Sequence, residues 1–79
     1  MEEDNIIVGH VRKALQEYLN DLDGENPVGV RDMVIAAVEK PVIEVILSHV
    51  DGNQTKAAAM LGVNRNTLRK KIRIYKIKT

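Results

Sequence analysis

The chain has 79 residues, no cysteine and no apolar run near the roughly 20 residues that span a membrane, which excludes disulfides, thiolate metal sites and a membrane-spanning protein. Its net charge of +1 hides an uneven distribution: residues 1–51 hold all 11 acidic residues and four basic ones, whereas residues 52–79 hold eight basic residues and no acidic one. This charge map predicts that the C-terminal end contacts a polyanion, with a solvated basic tail as the alternative.

The first predicted element is a helix from Ile7 to Leu22. Apolar residues recur there at spacings of three and four, which is typical of an amphipathic helix with a coiled-coil-like seam: Val8, Val11, Leu15, Tyr18 and Leu22. The acidic residues before it do not fit a signal peptide, and we expect a cytoplasmic protein. Residues 23–27 should end the helix, with Gly24 as its C-cap.

The second predicted helix runs from Val28 to Val50. Its apolar residues cover nearly the whole circumference, so the helix must be buried on several sides, and a second subunit is the obvious cover. The many β-branched residues also permit a strand, but the segment is too long for one. Pro41 lies in the middle and predicts a kink or a break.

The last 28 residues predict two short helices joined by a tight turn. Asn53 is the N-cap of a helix from Gln54 to Leu61, and Gly62 ends that helix in a left-handed conformation. Asn64 caps the next helix, which extends from Arg65 to about Tyr75. Three residues should form its inner face: Leu68, Ile72 and Tyr75. This pattern is typical of a helix-turn-helix.

A helix-turn-helix places the start of its second helix against base edges. Arg65 stands there, and its guanidinium group can bind guanine O6 and N7 together; Arg69, one turn later, can reach a base or a phosphate. Polar residues near the two helix starts are expected close to phosphates: Asn53, Thr55, Asn64 and Thr67. Three further basic residues either touch phosphate or are solvated: Lys70, Lys71 and Arg73.

Nothing in the chain predicts an enzyme, a cofactor or a metal site. His10 and His49 lack metal-ligand spacing, and no pair of carboxylates or nucleophile arrangement stands out. Glu39 and Glu44 are interpreted as solvated helix positions. We expect His10 to be exposed and His49 to lie near the end of the second helix.

Two motifs closely resemble the C-terminal signature of the Fis family: GNQTKAA at residues 52–58 and NRNTLRKK at residues 64–71. Upstream, VEKP at residues 38–41 resembles the family's proline-kinked helix, and VRKAL at residues 11–15 resembles its first helix. The resemblance implies an all-α fold with four helices per subunit, an intertwined helical dimer core and a C-terminal helix-turn-helix. Residues 1–51 would be the dimerisation helices and residues 52–79 the DNA-binding region of one compact domain.

The family resemblance also implies a function. It implies a homodimeric, nucleoid-associated transcriptional regulator that binds and bends double-stranded DNA with loose sequence preference, and RNA polymerase is a further candidate partner by analogy. Arg65 would make the main base contact, helped by Asn64 and Arg69. Phosphates would be held by the remaining polar positions: Asn53, Thr55, Thr67, Lys70, Lys71 and Arg73. The dimer core would comprise Val11, Leu15, Tyr18, Val34, Val38, Val42, Val45 and Ile46.

The chain departs from the family pattern in three places. Asn66 and Lys76 each replace a usual glycine, and Asn66 should alter sequence preference. Only residues 1–6 precede the first helix, whereas studied relatives carry a longer mobile arm that touches a recombinase, so we expect no role in DNA inversion.

Two other classes of protein remain as alternatives. One is a detached DNA-binding domain of an enhancer-binding activator, although the initial methionine and the dimerisation segment favour a free-standing protein. The other is a dimerisation or scaffold module whose basic end binds an acidic protein or RNA; its affinity would not follow DNA sequence.

Overall fold

The computed structural model describes residues 5–79 and, within them, consists of α-helices without strands. The helices are α1 (Ile6–Asp21), α2 (Val30–His49), α3 (Gln54–Leu61) and α4 (Arg65–Ile74). The predicted all-α class with four helices is confirmed, and each boundary lies within two residues of its prediction.

The N-terminal helix α1 is an amphipathic rod that the rest of the chain leaves largely uncovered. Asn5 caps it by accepting a 2.9 Å hydrogen bond from the Val8 backbone N–H. No residue of α1 is buried, although its apolar stripe faces the first half of α2. The expectation of a short arm over Met1–Ile6 lies mostly outside the described residues, which begin at Asn5.

Helix α2 runs without interruption through Pro41, so the break that the sequence allowed there does not occur. Proline removes one hydrogen bond, to the carbonyl of Ala37, and the rest of this 20-residue helix remains. Its C-terminal half is also held by Ile43 and Leu47, which are buried against α3 and α4. The kink at Pro41 stays a prediction.

Two helix ends place an aspartate in the left-handed conformation. After α1 the C-cap is Leu22 rather than Gly24, because Asp23 already has φ of 56° and turns the chain. After α2, Asp51 has φ of 54°, and the Gly52 N–H donates a 2.8 Å bond to the Leu47 carbonyl. Aspartate tolerates the left-handed conformation better than most residues. The chain therefore turns at Asp23 and Asp51, each one residue before the glycine that follows it.

The buried core lies entirely in the C-terminal half of the chain. It joins the second half of α2 to both short helices and to the C-terminal segment: Ile43, Leu47, Ala57, Ala58, Leu68 and Ile77. The helix pairs with the most extensive contacts are α2 with α3 and α3 with α4. The C-terminal half of α2 is therefore the platform on which the two short helices sit.

Candidate nucleic-acid interface

The turn between α3 and α4 has the geometry that the helix-turn-helix interpretation requires. Gly62 adopts φ of 80°, which a side chain would strain, and the next N–H, that of Val63, donates a 3.1 Å bond to the Ala58 carbonyl. Ala57 and Ala58 are buried, so α4 can cross α3 closely, whereas Ala59 faces solvent. Leu68 fills the angle between the helices and is completely buried.

Both short helices begin at a capping asparagine, as predicted. The side-chain oxygen of Asn53 accepts from the Lys56 N–H at 3.1 Å, and that of Asn64 accepts from the Thr67 N–H at 2.7 Å. Each asparagine thus uses its oxygen in the cap and keeps its amide N–H groups for another acceptor. Thr55 is exposed beside the first cap, and Thr67 is half-buried beside the second.

The outward face of α4 is polar and basic. Its inner face is formed by the predicted residues, because Leu68 is buried and Ile72 and Tyr75 pack against the core. The residues on the opposite side are all exposed: Arg65, Asn66, Arg69, Lys70 and Arg73. Three of them, Arg65, Arg69 and Arg73, follow one another at intervals of four and form one row along the helix. Since residues 52–79 hold no acid, nothing within this segment neutralises the row.

One lysine of α4 points back toward α2. The Nζ of Lys71 donates a 3.0 Å hydrogen bond to Oε1 of Glu39, and the hydroxyl group of Tyr75 donates to the same oxygen at 2.6 Å. The interpretation of Glu39 as a solvated residue is therefore wrong. Glu39 lies four residues before buried Ile43 and eight before buried Leu47, so it shares the face of α2 that the short helices cover. The spacing identifies this face only once the structure shows that Ile43 and Leu47 are the buried residues.

This contact changes the protonation equilibria of two groups. Hydrogen bonds from Tyr75 and Lys71, with the positive charge of Lys71, lower the pKa of Glu39 below its usual value, against a smaller opposing effect of burial. The bond to Glu39 and the partial burial of the ring raise the pKa of the Tyr75 hydroxyl. Around neutral pH the three groups therefore form an ionised carboxylate with two donors.

A further core residue, Ile77, was missed by the sequence analysis. The Ile77 N–H donates a 3.0 Å bond to the Ile72 carbonyl, and Lys76, between α4 and Ile77, adopts φ of 54°. This is a Schellman motif, in which an apolar residue after the left-handed position packs back onto the helix. The sequence signal for this turn was the glycine that the Fis family usually has at the position of Lys76, because glycine favours the left-handed conformation.

The residues predicted for a dimer core fall into three groups. Val11, Leu15, Val34 and Val38 are half-buried and line an open apolar groove between α1 and α2, with Tyr18 at its edge. Val42 and Val45 are exposed, the latter to 66%. Ile46 differs, because it packs against the core of the short helices within its own chain.

Both histidines lie where the sequence placed them: His10 is exposed, and His49 is the exposed last residue of α2. Over residues 5–79 no group of three or more histidine or acidic side chains is arranged to hold a metal ion. None of the four helices combines the length and the apolarity needed to cross a bilayer.

Comparison with known proteins adds independent information. The model of bacterial regulatory proteins of the Fis family matches residues 34–75. A putative Fis-like DNA-binding protein of Neisseria meningitidis serogroup A is 52% identical over 62 residues, covering 78% of each chain. The corresponding protein of Ralstonia nicotianae is also 52% identical over 62 residues, covering 78% of this chain and 80% of its own. DNA-binding protein Fis of Glaesserella parasuis serovar 5 is 44% identical over 66 residues, covering 84% of this chain and 67% of its own.

Proposed function

This chain belongs to the Fis family of bacterial regulatory proteins, and from that premise we propose that it is a homodimer that binds and bends double-stranded DNA as a nucleoid-associated transcriptional regulator. The observation that carries this proposal is the exposed row of Arg65, Arg69 and Arg73 on a capped helix in a segment without acids. We propose that it acts by binding rather than by catalysis, in the cytoplasm on the nucleoid, and RNA polymerase remains a predicted partner.

Base contacts are proposed for three residues at the start of α4. Arg65 is the first residue of the helix and is exposed, which suits insertion into the major groove and a paired contact with guanine. Arg69 is exposed one turn later. Asn64 can donate from its amide N–H groups, since its oxygen already accepts the Thr67 N–H in the cap.

Phosphate contacts are proposed for the surrounding polar residues. The caps leave backbone N–H groups at the starts of α3 and α4, where the helix dipole also favours an anion. The residues that we assign to phosphate are Asn53, Thr55, Thr67, Lys70, Lys71 and Arg73. Lys71 should contribute least, because its ammonium group is already bound to Glu39.

Dimerisation is proposed because too little apolar surface of α1 and α2 is buried within one chain. None of α1 is buried, and large apolar side chains on both helices are exposed, among them Ile7, Leu19, Met33, Ile35 and Val45. A second copy would cover them and the groove around Leu15 and Val38. We place the dimerisation helices within residues 1–51 and the DNA-binding region within residues 52–79.

Pairing and bending would together set the specificity. A dimer offers two recognition helices, so a binding site should contain two half-sites whose separation matches theirs. If that separation differs from one turn of straight B-DNA, binding bends the duplex, and easily deformed sequences are preferred. Two Arg65 contacts per dimer give only limited base readout, which explains the loose preference that we propose.

The test is fluorescence anisotropy on a duplex of about three helical turns, titrated at several salt concentrations. The wild-type chain is compared with Arg65→Ala and with Arg31→Ala. Arg31 is a matched control because it lies on α2 with its side chain 83% exposed and carries the same charge. We expect two chains per duplex, a steep salt dependence, and a loss of roughly 1–3 kcal/mol with weaker site preference in Arg65→Ala alone.

Two outcomes would contradict the proposal. If Arg65→Ala discriminates between sites as the wild type does, Arg65 does not read bases. If sedimentation at micromolar concentration shows a stable folded monomer, the dimer and the paired half-sites are both wrong. Tight binding that ignores DNA sequence and extends equally to RNA or an acidic protein would favour a scaffold module instead.

A further inference from the structure

We propose that Glu39 is a positioning residue that sets the orientation of the recognition helix α4 on the dimerisation helix α2. Its carboxylate would hold α4 at the angle that gives the two recognition helices of a dimer their separation. This inference rests on the proposed dimeric function, and it assigns the choice of half-site spacing to a residue that lies outside the DNA-binding segment.

The first argument is where the contact lies. Lys71 lies in the C-terminal half of α4, Tyr75 is the C-cap residue one turn later on the same face, and both donate to Oε1 of Glu39. Arg65 lies at the opposite end of α4, ten residues before Tyr75 and about 15 Å along the helix axis. Glu39 therefore binds the end of α4 that lies farthest from the expected base contacts, and a change in the direction of the helix axis there changes the position of Arg65.

The second argument is that, among the described residues, Glu39 accepts the only side-chain hydrogen bonds that join α2 to the C-terminal end of α4. The most extensive helix contacts are those of α2 with α3 and of α3 with α4. The apolar residues of α4 that reach the shared core are buried Leu68 and half-buried Ile72, and Tyr75 and Ile77 follow just after the helix. A cleft remains between α2 and the two short helices, and its lining includes Glu39, Val42, Val63 and Lys71. Apolar packing is incomplete there, and the hydrogen bonds of Glu39 bridge the gap.

The third argument is that partial burial strengthens the ion pair and hydrogen bonds of Glu39. The side chains of Glu39 and Lys71 are only 28% and 32% exposed, so water competes less for their ion pair than at the open surface. One carboxylate oxygen accepts two donors, one of them charged, from successive turns of the same helix, which fixes direction as well as distance. Arg31 and Asp32 offer a contrast, since their pair is 3.4 Å long and more than 80% exposed.

A small change in the direction of α4 displaces Arg65 by a distance that matters for binding. A change of about 5° in the direction of α4 moves Arg65 by about 1 Å relative to the opposite end of the helix, given its length. Binding residues need to be held within about 0.5 Å of their productive position. In a dimer the two displacements combine, so the loss of Glu39 should widen the distribution of recognition-helix separations without unfolding the chain.

The experiment measures that distribution without DNA. The chain has no cysteine, so Asn66→Cys places one nitroxide label on each exposed recognition helix, and pulsed electron spin resonance reports the distance between the two labels of a dimer. This background carries Glu39→Gln, Glu39→Ala or Tyr75→Phe. Glu44→Gln is the control, because Glu44 is an exposed glutamate on the same helix and loses the same charge.

We expect Glu39→Ala to broaden the distance distribution about twofold, because it removes the acceptor of both hydrogen bonds. Glu39→Gln keeps an accepting oxygen but loses the charge, and Tyr75→Phe loses one donor, so both should broaden the distribution less. Glu44→Gln should match the parent. On duplexes with varied half-site spacing, unlabelled Glu39 variants that retain Asn66 should lose the preference for one spacing. Circular dichroism checks whether each variant is folded, and the conservative Glu39→Gln and Tyr75→Phe keep the test decisive if Glu39→Ala does not fold.

Two results would overturn the inference, and they differ from each other. Folded Glu39 variants with the parent's distance distribution and spacing preference would leave the dimer intact and remove the positioning role. No distance between labels in the parent itself would mean that no dimer forms, and the proposed function would fail together with this inference.

Discussion

The hydroxyl group of Tyr75 donates a 2.6 Å hydrogen bond to Oε1 of Glu39, a residue 36 positions earlier in the chain. Lys71 donates to the same oxygen, so two turns of α4 are bound to one side chain of α2. The contact connects the helix expected to read DNA with the helix expected to form the dimer. It also makes the stability of the chain depend on the protonation of these groups.

We expect the free energy of unfolding to fall on both sides of a plateau in pH. The pKa of Glu39 is lowered from its usual 4.5, so its contribution is present above that pH and is lost as the pH falls through the lowered value. The pKa of Tyr75 is raised from its usual 10.0, so its contribution is present below that pH and is lost as the pH rises through the raised value. Urea unfolding at a series of pH values measures both limbs.

The second tyrosine, Tyr18, provides a control for the loss of unfolding free energy at alkaline pH. Tyr18 and Tyr75 are the only tyrosines, and the chain has no tryptophan. Tyr75→Phe should remove the part of the alkaline loss that comes from this contact, whereas Tyr18→Phe should keep it. Identical alkaline limbs in the wild type and Tyr75→Phe would show that the bond to Glu39 does not affect stability.

Replacing Lys76 by glycine should stabilise the protein. Lys76 adopts φ of 54°, which costs a residue with a side chain roughly 1–2 kcal/mol, whereas glycine adopts it freely. Part of the gain is offset by the greater freedom of glycine in the unfolded chain, so we expect a net increase of about 0.5–1 kcal/mol. Lys78→Gly removes the same charge from the exposed tail and should give no increase in urea unfolding. A Lys76→Gly variant no more stable than wild type would contradict the strain argument.

The two roles of Asn64 can be separated by two substitutions. Asn64→Ala removes the acceptor of the 2.7 Å cap bond and should lower the free energy of unfolding by about 1 kcal/mol. Asn64→Asp keeps the cap, so its stability should be retained, but it brings a negative charge to the DNA and should weaken binding. Urea unfolding and anisotropy measure the two effects.

Asn66→Ala is the matched control for the cap. Asn66 lies within α4, two residues after Asn64, and is exposed. Because alanine is the better helix former, the free energy of unfolding of Asn66→Ala should be unchanged or higher. Equal losses of stability in Asn64→Ala and Asn66→Ala would count against the cap as the cause.

Lys70 and Lys71 are neighbours that should differ in their effect on salt dependence. A lysine that neutralises one phosphate adds about 0.9 to the slope of log affinity against log salt concentration. Lys70 is exposed, so Lys70→Ala should reduce the slope by about that amount per contact. Lys71 is bound to Glu39, so Lys71→Ala should reduce the slope by less. A larger reduction for Lys71 would mean that DNA displaces Glu39 from it.

Local signals in the sequence predicted the helix starts and the turn between helices in the C-terminal half of the chain. The caps at Asn53 and Asn64 and the left-handed Gly62 depend only on residues three or four positions away, and all three were predicted correctly. Pro41 was harder, because its local cost predicts a break that the packing of Ile43 and Leu47 prevents. The left-handed turn at Asp23 was missed, since Gly24 beside it offered the stronger signal.

The sequence alone determined the helices, the caps Asn53, Gly62 and Asn64, the charge polarity and the family signature, because these follow from short-range spacing and residue type. Only the tertiary structure decided that Glu39 is a partner of Lys71 and Tyr75, that Ile46 faces the short helices, and that Ile77 closes the core. Those contacts join residues far apart in the chain or depend on which face of a helix its neighbours cover. Helical periodicity cannot choose that face when apolar residues lie all around α2, so it is decided by how the helices pack.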